Sequence, residues 1–442
     1  MSKVLIPDYV NKVLETLNGS GYKAYIVGGA VRDLVLGKIP QDFDVATNAK
    51  AKEVKRIFDK TIDTGIKHGT VTVNMDGHFV EVTTFRKDGE YKDNRRPSEV
   101  YFVDDLLEDL KRRDFTINAM AYSPKEGFID PFMGMEDLRN KKIRAVGNPK
   151  QRFGEDALRI LRAVRFAASF KFKIEEKTFE AIKECARLLE NISGERIKAE
   201  LDKFLLSADL SGLYLLKDTN ILKILIPKLD EGFNVSQNSP YHKYTVGDHI
   251  FKVVSGVKKD LTLKWAALFH DIGKVDTKTT TPDGVDHFKG HVEKSMEIAK
   301  AVMRRLRFDK KTEGGVLFLV KHHDDDILPD EFDVRRKMSA WGDCFLPLLE
   351  LKKADLLGKS DDVIKRDFHI FDEIKKIYDE AIEKKYPIYI KDLAVDGNIL
   401  LELGVKNREI GKYLNEALKY VLKYPEKNKK DALIEYLKAF WE

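Results

Sequence analysis

The chain has 442 residues, of which 34% are charged, and its formal net charge is +5 at pH 7. This length predicts about three domains, and so small a net charge means that any nucleic-acid surface is a local concentration of cations. Cys185 and Cys344 are the only cysteines, which excludes a disulfide framework and a cysteine-based metal motif. There is no run of about 18 apolar residues and no signal-peptide pattern at the N-terminus, so we expect a cytoplasmic protein.

The first predicted elements are a helix, a strand and a second helix. Apolar spacing predicts a helix over residues 8–18, and the apolar run from Tyr25 to Val27 predicts a buried strand. Gly28 and Gly29 follow this strand, let the backbone turn sharply and expose amide groups to an anionic ligand such as a triphosphate. The next helix is predicted from Ala30 to Leu36.

A pair of acidic residues comes next, because Asp42 and Asp44 flank the apolar Phe43. In an extended segment, residues two apart project from the same face, which would bring both carboxylates to one point. Two oxygen donors side by side suit Mg²⁺, which in nucleotide transfer activates the attacking hydroxyl and neutralises the leaving pyrophosphate. An Asp-x-Asp pattern alone is more often a solvated turn, so the interpretation depends on the neighbouring glycines.

A β-hairpin is predicted after a third helix (50–58). Its strands, 70–74 and 79–85, flank the turn Asp76-Gly77. Glu81 lies inside the second strand, and two interpretations of it stay open. The side chain points to solvent, or it faces the cleft of the two aspartates as a third carboxylate that binds metal or accepts the hydroxyl proton.

Two charged segments precede the helical part of the chain. Residues 86–104 are polar and turn-rich, and they are long enough to form a functional loop. Arg112, Arg113 and Asp114 then stand ahead of an apolar helix, where cations can reach the phosphate or ribose of a nucleotide. A charged helix start without a ligand is the other interpretation.

Residues 139–173 contain eleven Lys and Arg against two acids. Periodicity predicts one amphipathic helix over residues 155–165. An Asp and an Arg three apart on such a helix can pair with the Watson–Crick edge of cytosine or adenine, and the later arginines with phosphates. An ordinary salt-bridged face is the alternative, although arginine forks suit bases and phosphates better than lysine does. The charged side of this helix comprises Glu155, Asp156, Arg159, Arg162 and Arg165.

Over about the first half of the chain, these motifs resemble class II tRNA CCA-adding enzymes and bacterial poly(A) polymerases, which are polymerase-β-like nucleotidyltransferases. The resemblance depends on their order and spacing together. The matching motifs are Gly28-Gly29-Ala-Val-Arg32-Asp33, Asp42-Phe-Asp44, Arg112-Arg113-Asp114, Asp130-Pro-Phe-Met-Gly134, Glu155-Asp156-Ala-Leu-Arg159, and Glu195-Arg196 through Glu200-Leu201.

The resemblance implies Mg²⁺-dependent, template-independent addition of CMP and AMP, from CTP and ATP, to the 3′ end of tRNA. Asp42 and Asp44 would bind the metal, and Arg113 would contact the ribose. The groups implied to hold the triphosphate are Gly29, Arg32, Arg162 and Arg165. Those implied to select the base are Glu155, Asp156 and Arg159. The full-length loop at 86–104 disfavours an enzyme that adds cytidines alone, whereas an A-adding enzyme or a poly(A) polymerase remains an alternative.

In the second half of the chain, seven of the ten histidines fall between His242 and His323. Imidazole and carboxylate donors can bind Mn²⁺, Fe²⁺, Ni²⁺ or Mg²⁺ and activate a water for attack on a phosphate ester. A phosphohydrolase acting on RNA phosphates is therefore the competing function, and a helical RNA-binding scaffold without activity is a third. The order that resembles the HD metal-dependent phosphohydrolases is His249, His270-Asp271, His291, His322-His323 and Asp355.

The predicted architecture is elongated and multi-domain, with an α/β (α+β) head followed by helical domains. The head, residues 1–138, carries a small mixed or antiparallel sheet, and the neck, 139–232, selects nucleotides and binds RNA. An HD-like domain over 233–362 precedes a lysine-rich helical tail over 363–442 that would contact tRNA phosphates. Neither DNA nor a membrane is an expected partner.

Overall fold

The computed structural model describes residues 6–89 and 99–440 and shows two compact units. The first unit comprises Met1–Pro227 with Arg305–Arg307, and the second comprises Lys228–Arg304 with Phe308–Glu442. The predicted division into four domains is finer than this and stays a prediction.

The first unit is built on a seven-stranded sheet with the strand order β3-β4-β5-β2-β1-β8-β9. Strands β2 and β5 are parallel and the other neighbours are antiparallel, which confirms the predicted mixed sheet. The strands of this unit are β1 (Ala24–Val27), β2 (Asp44–Thr47), β3 (Thr61–Gly65), β4 (Thr70–Met75), β5 (His78–Thr84), β6 (Arg86–Asp88), β7 (Val100–Phe102), β8 (Ala121–Ser123), β9 (Gly127–Ile129), β10 (Lys142–Ile143) and β11 (Lys173–Ile174).

Helices precede, interrupt and follow this sheet. The helices of the first unit are α1 (Asp8–Gly19), α2 (Gly29–Val35), α3 (Ala51–Ile57), α4 (Leu106–Lys111), α5 (Gly134–Arg139), α6 (Pro149–Glu155), α7 (Leu158–Phe170), α8 (Glu176–Cys185), α9 (Gly194–Ser207), α10 (Leu210–Asp218) and α11 (Ile221–Leu225).

The two faces of the sheet are covered differently. Side chains such as Val71 and Val82 are fully buried on the face against which α1 and α3 pack. On the opposite face, an apolar cluster that includes Tyr25, Ala46 and Leu110 covers the part formed by β1, β2 and β8. Over β3 and β5 the same face is more exposed in the described residues, with Ile62 and Phe79 at least half exposed.

The hairpin of β4 and β5 follows the prediction closely. Asp76 and Gly77 have φ values of 54° and 86°, the positive pair that a two-residue hairpin turn requires. The predicted loop over 86–104 is described only in part, since residues 90–98 lie outside the described residues. Its two described ends pair as the strands β6 and β7, so these parts form a ribbon instead of turns.

One predicted helix is divided in two. Residues 155–165 were expected to form a single helix, but α6 ends at Glu155 and α7 begins at Leu158. Asp156 between them is extended, with φ −136° and ψ 103°, and its carboxylate accepts a hydrogen bond from the Leu158 N–H at 3.2 Å. A local side-chain bond of this kind competes with helix continuation.

The second unit is mainly helical, as predicted, apart from a two-residue hairpin of β12 (Thr279–Thr280) and β13 (Asp286–His287). Among the helices described, none combines the length and the hydropathy needed to cross a membrane. The helices from the unit boundary onward are α12 (Pro227–Gly232), α13 (Val246–Gly256), α14 (Leu261–Phe269), α15 (Lys274–Thr277), α16 (His291–Arg305), α17 (Lys310–His322), α18 (Glu331–Trp341), α19 (Phe345–Leu357), α20 (Asp361–Glu383), α21 (Gly397–Glu402), α22 (Ile410–Lys423) and α23 (Lys430–Lys438).

Candidate functional site

Gly28 lies at the centre of the candidate site, between the end of β1 and the start of α2. Its φ of 72° is favourable only for glycine. A Cβ at this position would lie 3.0 Å from Nη1 of Arg113 and 3.8 Å from Oδ2 of Asp44. The guanidinium and the carboxylate therefore approach the glycine turn as closely as backbone without a side chain allows.

Three carboxylates meet beside this turn. Asp44 is the first residue of β2, and the parallel register pairs it directly with Glu81 on β5, so both side chains share one face. Glu81 is exposed to solvent and also projects from the face that carries Asp44, so its catalytic role stays a prediction. Solvent still reaches Asp44, but desolvation by the surrounding protein raises its pKa, as do the charges of Glu81 and Asp42, against the opposing charge of Arg113.

The donor set suits a hard divalent cation. Carboxylates that repel one another are stabilised by a shared positive charge, and Mg²⁺ is commonly bound by one or two carboxylates together with substrate phosphates and water. Within the described residues, the groups whose three or more ligand atoms lie within 4.8 Å of one another are all in the second unit. Asp42 and Asp44 thus fit a site that the nucleotide completes, and not a cage made by the protein alone.

The predicted triphosphate-holding arginines are linked to the turn by hydrogen bonds. Nη1 of Arg32 donates to Asn118 at 2.9 Å, and Asn118 donates to Asp114 at 3.2 Å. Asp114 also accepts two hydrogen bonds from Arg162 of α7, at 2.8 and 2.6 Å. Burial alone would raise the pKa of Asp114, but the Arg162 charge and hydrogen bond hold it below its usual value. The glycine turn and α7 are therefore mechanically coupled.

The charged residues around α7 are also paired. Arg159 is 9% exposed and donates to Glu155 at 2.8 Å and to the Arg112 carbonyl at 2.9 Å. Arg165 donates to Glu200 at 2.6 Å. Because Asp156 precedes the helix, it does not share a helical face with Arg159 as predicted.

Asp156 instead forms an ion pair at 3.0 Å with Arg196 of α9. Sequence reasoning assigned no role to Arg196, to Asn118 or to Asp109, which is 1% exposed and binds both Arg112 and Arg113. Arg196 lies in a motif that was noticed, and Asn118 follows Asp114 by four residues. A buried Asp109 has no signal in the sequence, since its burial depends on the fold.

A cleft of about 760 Å³ opens beside the start of α7. Glu155 is the predicted site residue that lines this cleft. Gly89, the last described residue before position 99, also lines it. Its cations outnumber its carboxylates. The charged lining residues are Lys87, Asp88, Glu108, Lys111, Arg112, Arg152 and Glu155.

The second unit brings six of the seven predicted HD residues together, around Asp271. The ligand atoms form two groups, and within each group all of them lie within 4.8 Å of one another. Asp271 belongs to both groups. The first group is His249, His270, Asp271 and Asp355, and the second is Asp271, His291 and His323.

The histidines are oriented as metal ligands are. Each directs Nδ1 to a backbone carbonyl at 2.7–3.1 Å, which leaves Nε2 facing the carboxylates. Burial opposes the charge on His249, but hydrogen bonds to Asp271 and Asp355 outweigh it and raise the pKa of His249 to about 9. The imidazole and carboxylate donors of these two groups suit a transition metal.

His322 is the exception among the predicted ligands, because it pairs with Asp325 at 2.7 Å and lies against Phe318. It lines a cavity of about 710 Å³ instead. Other residues that line this cavity include His242, His291 and Lys274, whose Nζ lies 2.6 Å from Asp271. Burial, with the charges of Lys274 and His249, lowers the pKa of His242 to about 3.

Three parts of the chain match models of known families. Residues 24–144 match the poly A polymerase head domain. Residues 171–233 match the probable RNA and SrmB-binding site of polymerase A, and residues 241–361 match the HD domain.

The sequence is also similar to curated proteins over part of its length. It is 55% identical over 200 residues to a CCA-adding enzyme of Enterococcus faecalis, covering 45% of this chain and 49% of that protein. With a CCA-adding enzyme of Lactococcus lactis subsp. lactis it shares 45% identity over 276 residues, covering 60% of this chain and 65% of the relative. The matched regions thus span about half to two thirds of the curated relatives.

Solved structures align over nearly the whole chain. The crystal structure of the Bacillus stearothermophilus CCA-adding enzyme in complex with CTP has a TM-score of 0.69 and 28% identity, and the alignment covers 98% of each chain. The Thermotoga maritima CCA-adding enzyme complexed with tRNA has a TM-score of 0.59 and 22% identity over 100% of this chain and 97% of that one. The second likeness shows the fold alone.

Proposed function

We propose that the chain belongs to the family of CCA-adding enzymes and poly A polymerases, and that it adds CMP and AMP, from CTP and ATP, to the 3′ end of tRNA. The observation that carries this proposal is the approach of Arg113 and Asp44 to Gly28, with Glu81 paired beside Asp44. Nucleotide transfer needs a positively charged side chain, carboxylates and a glycine turn close together. We expect the reaction in the cytoplasm, with the tRNA acceptor end as the partner.

The reaction is a displacement at the α-phosphorus of the nucleotide. The terminal 3′-oxygen of the RNA forms the new P–O bond, the bond to the β-phosphate oxygen breaks, and pyrophosphate leaves. Glu81, which the strand register pairs with Asp44, would accept the proton of the hydroxyl. Mg²⁺ held by Asp42 and Asp44 would supply charge neutralisation and lower the pKa of the hydroxyl. Positioning by the protein provides much of the remaining rate enhancement.

The arginines would hold and select the nucleotide. Gly29 and Arg32 on α2, with Arg162 and Arg165 on α7, would bind the triphosphate, and Arg113 would bind the ribose. Asp114 would orient Arg162, since the two are hydrogen-bonded. The base-selecting groups would be Glu155, Asp156 and Arg159. These side chains are now in ion pairs, and some of those ion pairs must break before the side chains can bind the edge of the base.

A single assay separates the members of this chemical class. The full chain is incubated with labelled CTP or ATP and with tRNAs that lack the whole CCA end, its last two nucleotides, or the terminal adenosine alone. We expect CMP on the first two substrates and AMP on the third. Incorporation of AMP alone would identify an A-adding enzyme, and long adenosine tails would identify a poly(A) polymerase.

The HD centre favours a second activity, metal-dependent phosphohydrolysis. The supporting observation is the double group of ligands that share Asp271, which can activate a water and orient a phosphate ester. Incubation with a 2′,3′-cyclic nucleotide phosphate and Mn²⁺, Fe²⁺ or Ni²⁺ tests it. Hydrolysis by the wild type that is lost in Asp271→Ala supports the activity, and no turnover with any metal assigns the HD centre a structural role.

A further inference from the structure

In the described part of the chain, one half of the sheet face beside the three carboxylates stays open, since Ile62, Phe79 and Glu81 are exposed there. Glu81 and Phe79 are two residues apart on β5 and therefore project from the same face. Thr72 on β4 lies directly opposite Glu81, and Ile62 on β3 lies opposite Thr72. Along this row the face runs from the carboxylates to the edge strand of the sheet.

Apolar side chains are exposed on this open half of the face, which is unusual at the edge of a small sheet. Phe79 is 60% exposed and Ile62 is 50% exposed. By strand geometry, Phe79 lies about 7 Å from Glu81 and Ile62 about 10 Å from it. Exposed aromatic and aliphatic side chains at this distance from a reacting centre are suited to contact the bases of a substrate.

Hydroxyl groups fill the space between these apolar side chains. Thr64 and Thr72 share a hydrogen bond of 2.9 Å, and Thr70 and Thr83 share one of 3.0 Å. A pair of hydroxyls linked by one bond holds a second O–H and further lone pairs. Thr64, which is exposed, can therefore contact a sugar or phosphate oxygen without losing its bond to Thr72, which is itself buried.

On the β1 side of the carboxylates, other residues already fill the space. Gly28 and Arg113 approach Asp44 from the β1 side, where the nucleotide would bind. Beyond Asp44, the same face is covered by the apolar cluster with Ala46 and Leu110. A second substrate that must reach Asp44 and Glu81 therefore comes across β5, β4 and β3.

We propose that the open face of β3, β4 and β5 binds the last residues of the RNA acceptor strand, with Phe79 stacking on a base and Ile62 extending the platform. This inference rests on the proposed function, because it assigns the direction from which the 3′-hydroxyl arrives. Stacking on one aromatic side chain is tolerant of sequence, which suits an end that changes after every addition.

The test measures RNA binding separately from catalysis. A fluorescent acceptor minihelix that lacks the CCA end is titrated with wild type, Phe79→Ala, Phe79→Trp, Ile62→Ala and the control His78→Ala. His78 is the neighbouring residue on β5, but it projects to the other face and stacks on Tyr9 at 4.3 Å. Phe79 is exposed, so its variants are expected to fold.

We expect Phe79→Ala to weaken RNA binding about tenfold and Ile62→Ala about threefold, since one base–aromatic stack is lost in the first and only its support in the second. Phe79→Trp and His78→Ala should stay within about twofold of the wild type, and CTP affinity should be unchanged in all variants. Wild-type RNA affinity in Phe79→Ala overturns the proposal, as does a parallel loss of CTP affinity.

A crosslink decides the location independently. With 4-thiouridine as the last RNA residue, irradiation should attach RNA to the peptide of β5, and attachment solely elsewhere overturns the proposal. A wild type that binds and crosslinks in this way but incorporates no CMP would refute the proposed function and leave the surface intact. If the wild type incorporates CMP and Phe79→Ala binds RNA with wild-type affinity, the proposed function stands and the RNA-binding surface is refuted.

Discussion

Asp44 shows how one residue acquires its chemistry from its neighbours. The strand register places Glu81 beside it, and the glycine turn allows Arg113 to approach. Burial and the like charges raise its pKa, so the free carboxylate is a high-energy group that a divalent cation would stabilise. The same residue in a solvated turn would have neither property.

Asp44→Ala should lower nucleotide incorporation by at least about 100-fold, because even indirect partners of a metal are worth 10- to 100-fold. RNA affinity, measured by fluorescence anisotropy, should change less than about threefold, since one carboxylate contributes little to phosphate binding. The matched control is Asp76→Asn, which changes an exposed acid in the β4–β5 turn and should keep full activity. A fully active Asp44→Ala protein would refute the metal assignment.

Asp156 is the residue at which base selection is best tested, because it is partly exposed and paired with Arg196. Asp156→Ala should reduce the preference for CTP over ATP about tenfold while slowing transfer of each nucleotide less, since a lost hydrogen bond affects discrimination first. The measurement is kcat/KM for both nucleotides on tRNA that lacks CCA.

Asp202→Ala on α9 is the control for this change, because it removes a similar ion pair, with Lys198 at 2.6 Å. Its CTP preference should equal that of the wild type. Unaltered selectivity in Asp156→Ala would remove the base-selecting role.

At the scale of elements, α7 is fixed to the glycine turn by the pair of Asp114 and Arg162. Asp114→Asn leaves the arginine without its anion, and we expect a loss of about 2 kcal/mol, discounted because 34% of the Arg162 side chain is in solvent. Unfolding of the first unit can be followed by labelling of Cys185 in a Cys344→Ser background, as each unit contains one cysteine. Triphosphate affinity should also fall, because Arg162 loses its orientation.

The pH dependence of this loss has a definite sign. The pKa of Asp114 is lowered in the folded chain, so its contribution is present above the unfolded value and is lost as the pH falls through the folded one. The stability difference between wild type and Asp114→Asn should therefore shrink below about pH 4. Asp137→Asn is the control: it breaks the ion pair of a buried aspartate with the partly exposed Arg144, and it should destabilise the unit without changing triphosphate affinity.

Elements also show what the sequence could predict. The β4–β5 hairpin was predictable because Asp76-Gly77 satisfies a local backbone requirement, and the glycine turn because an apolar strand precedes it. The interruption between α6 and α7 was not, since it depends on Asp156 bonding locally and to Arg196 on a distant helix. The orientation of Glu81 required the register of β5 against β2, which no local pattern encodes.

The same distinction holds for the histidines of the second unit. Their order predicted six members of one cluster: His249, His291 and Asp355 lie on helices, and the other three directly follow the ends of α14 and α17. His322 follows the same pattern in sequence but lies one residue from His323, and adjacent helical residues point about 100° apart. Only His323 faces Asp271, at 3.5 Å.

At the scale of the whole molecule, the two units carry separate ligand chemistry. Residues 1–227 contain no tryptophan, and Trp265 and Trp341 belong to the second unit, whereas Cys185 belongs to the first. Tryptophan fluorescence therefore follows the second unit, and labelling of Cys185 in a Cys344→Ser background follows the first. This makes selective effects of metals measurable in the intact chain.

Mn²⁺ should raise the unfolding temperature reported by tryptophan fluorescence, by several degrees at a hundredfold excess over its Kd, because it binds the folded centre alone. The shift should grow from pH 6 to pH 8. Without metal, the raised pKa of His249, about 9, means that its stabilising charge is present below the unfolded value and is lost as the pH rises through 9. Metal must displace that proton, so its affinity rises about tenfold per pH unit below the pKa. Calorimetry in two buffers should show about one proton released. Asp271→Ala should abolish the shift and leave CMP incorporation unchanged, whereas a pH-independent shift would contradict the role of His249.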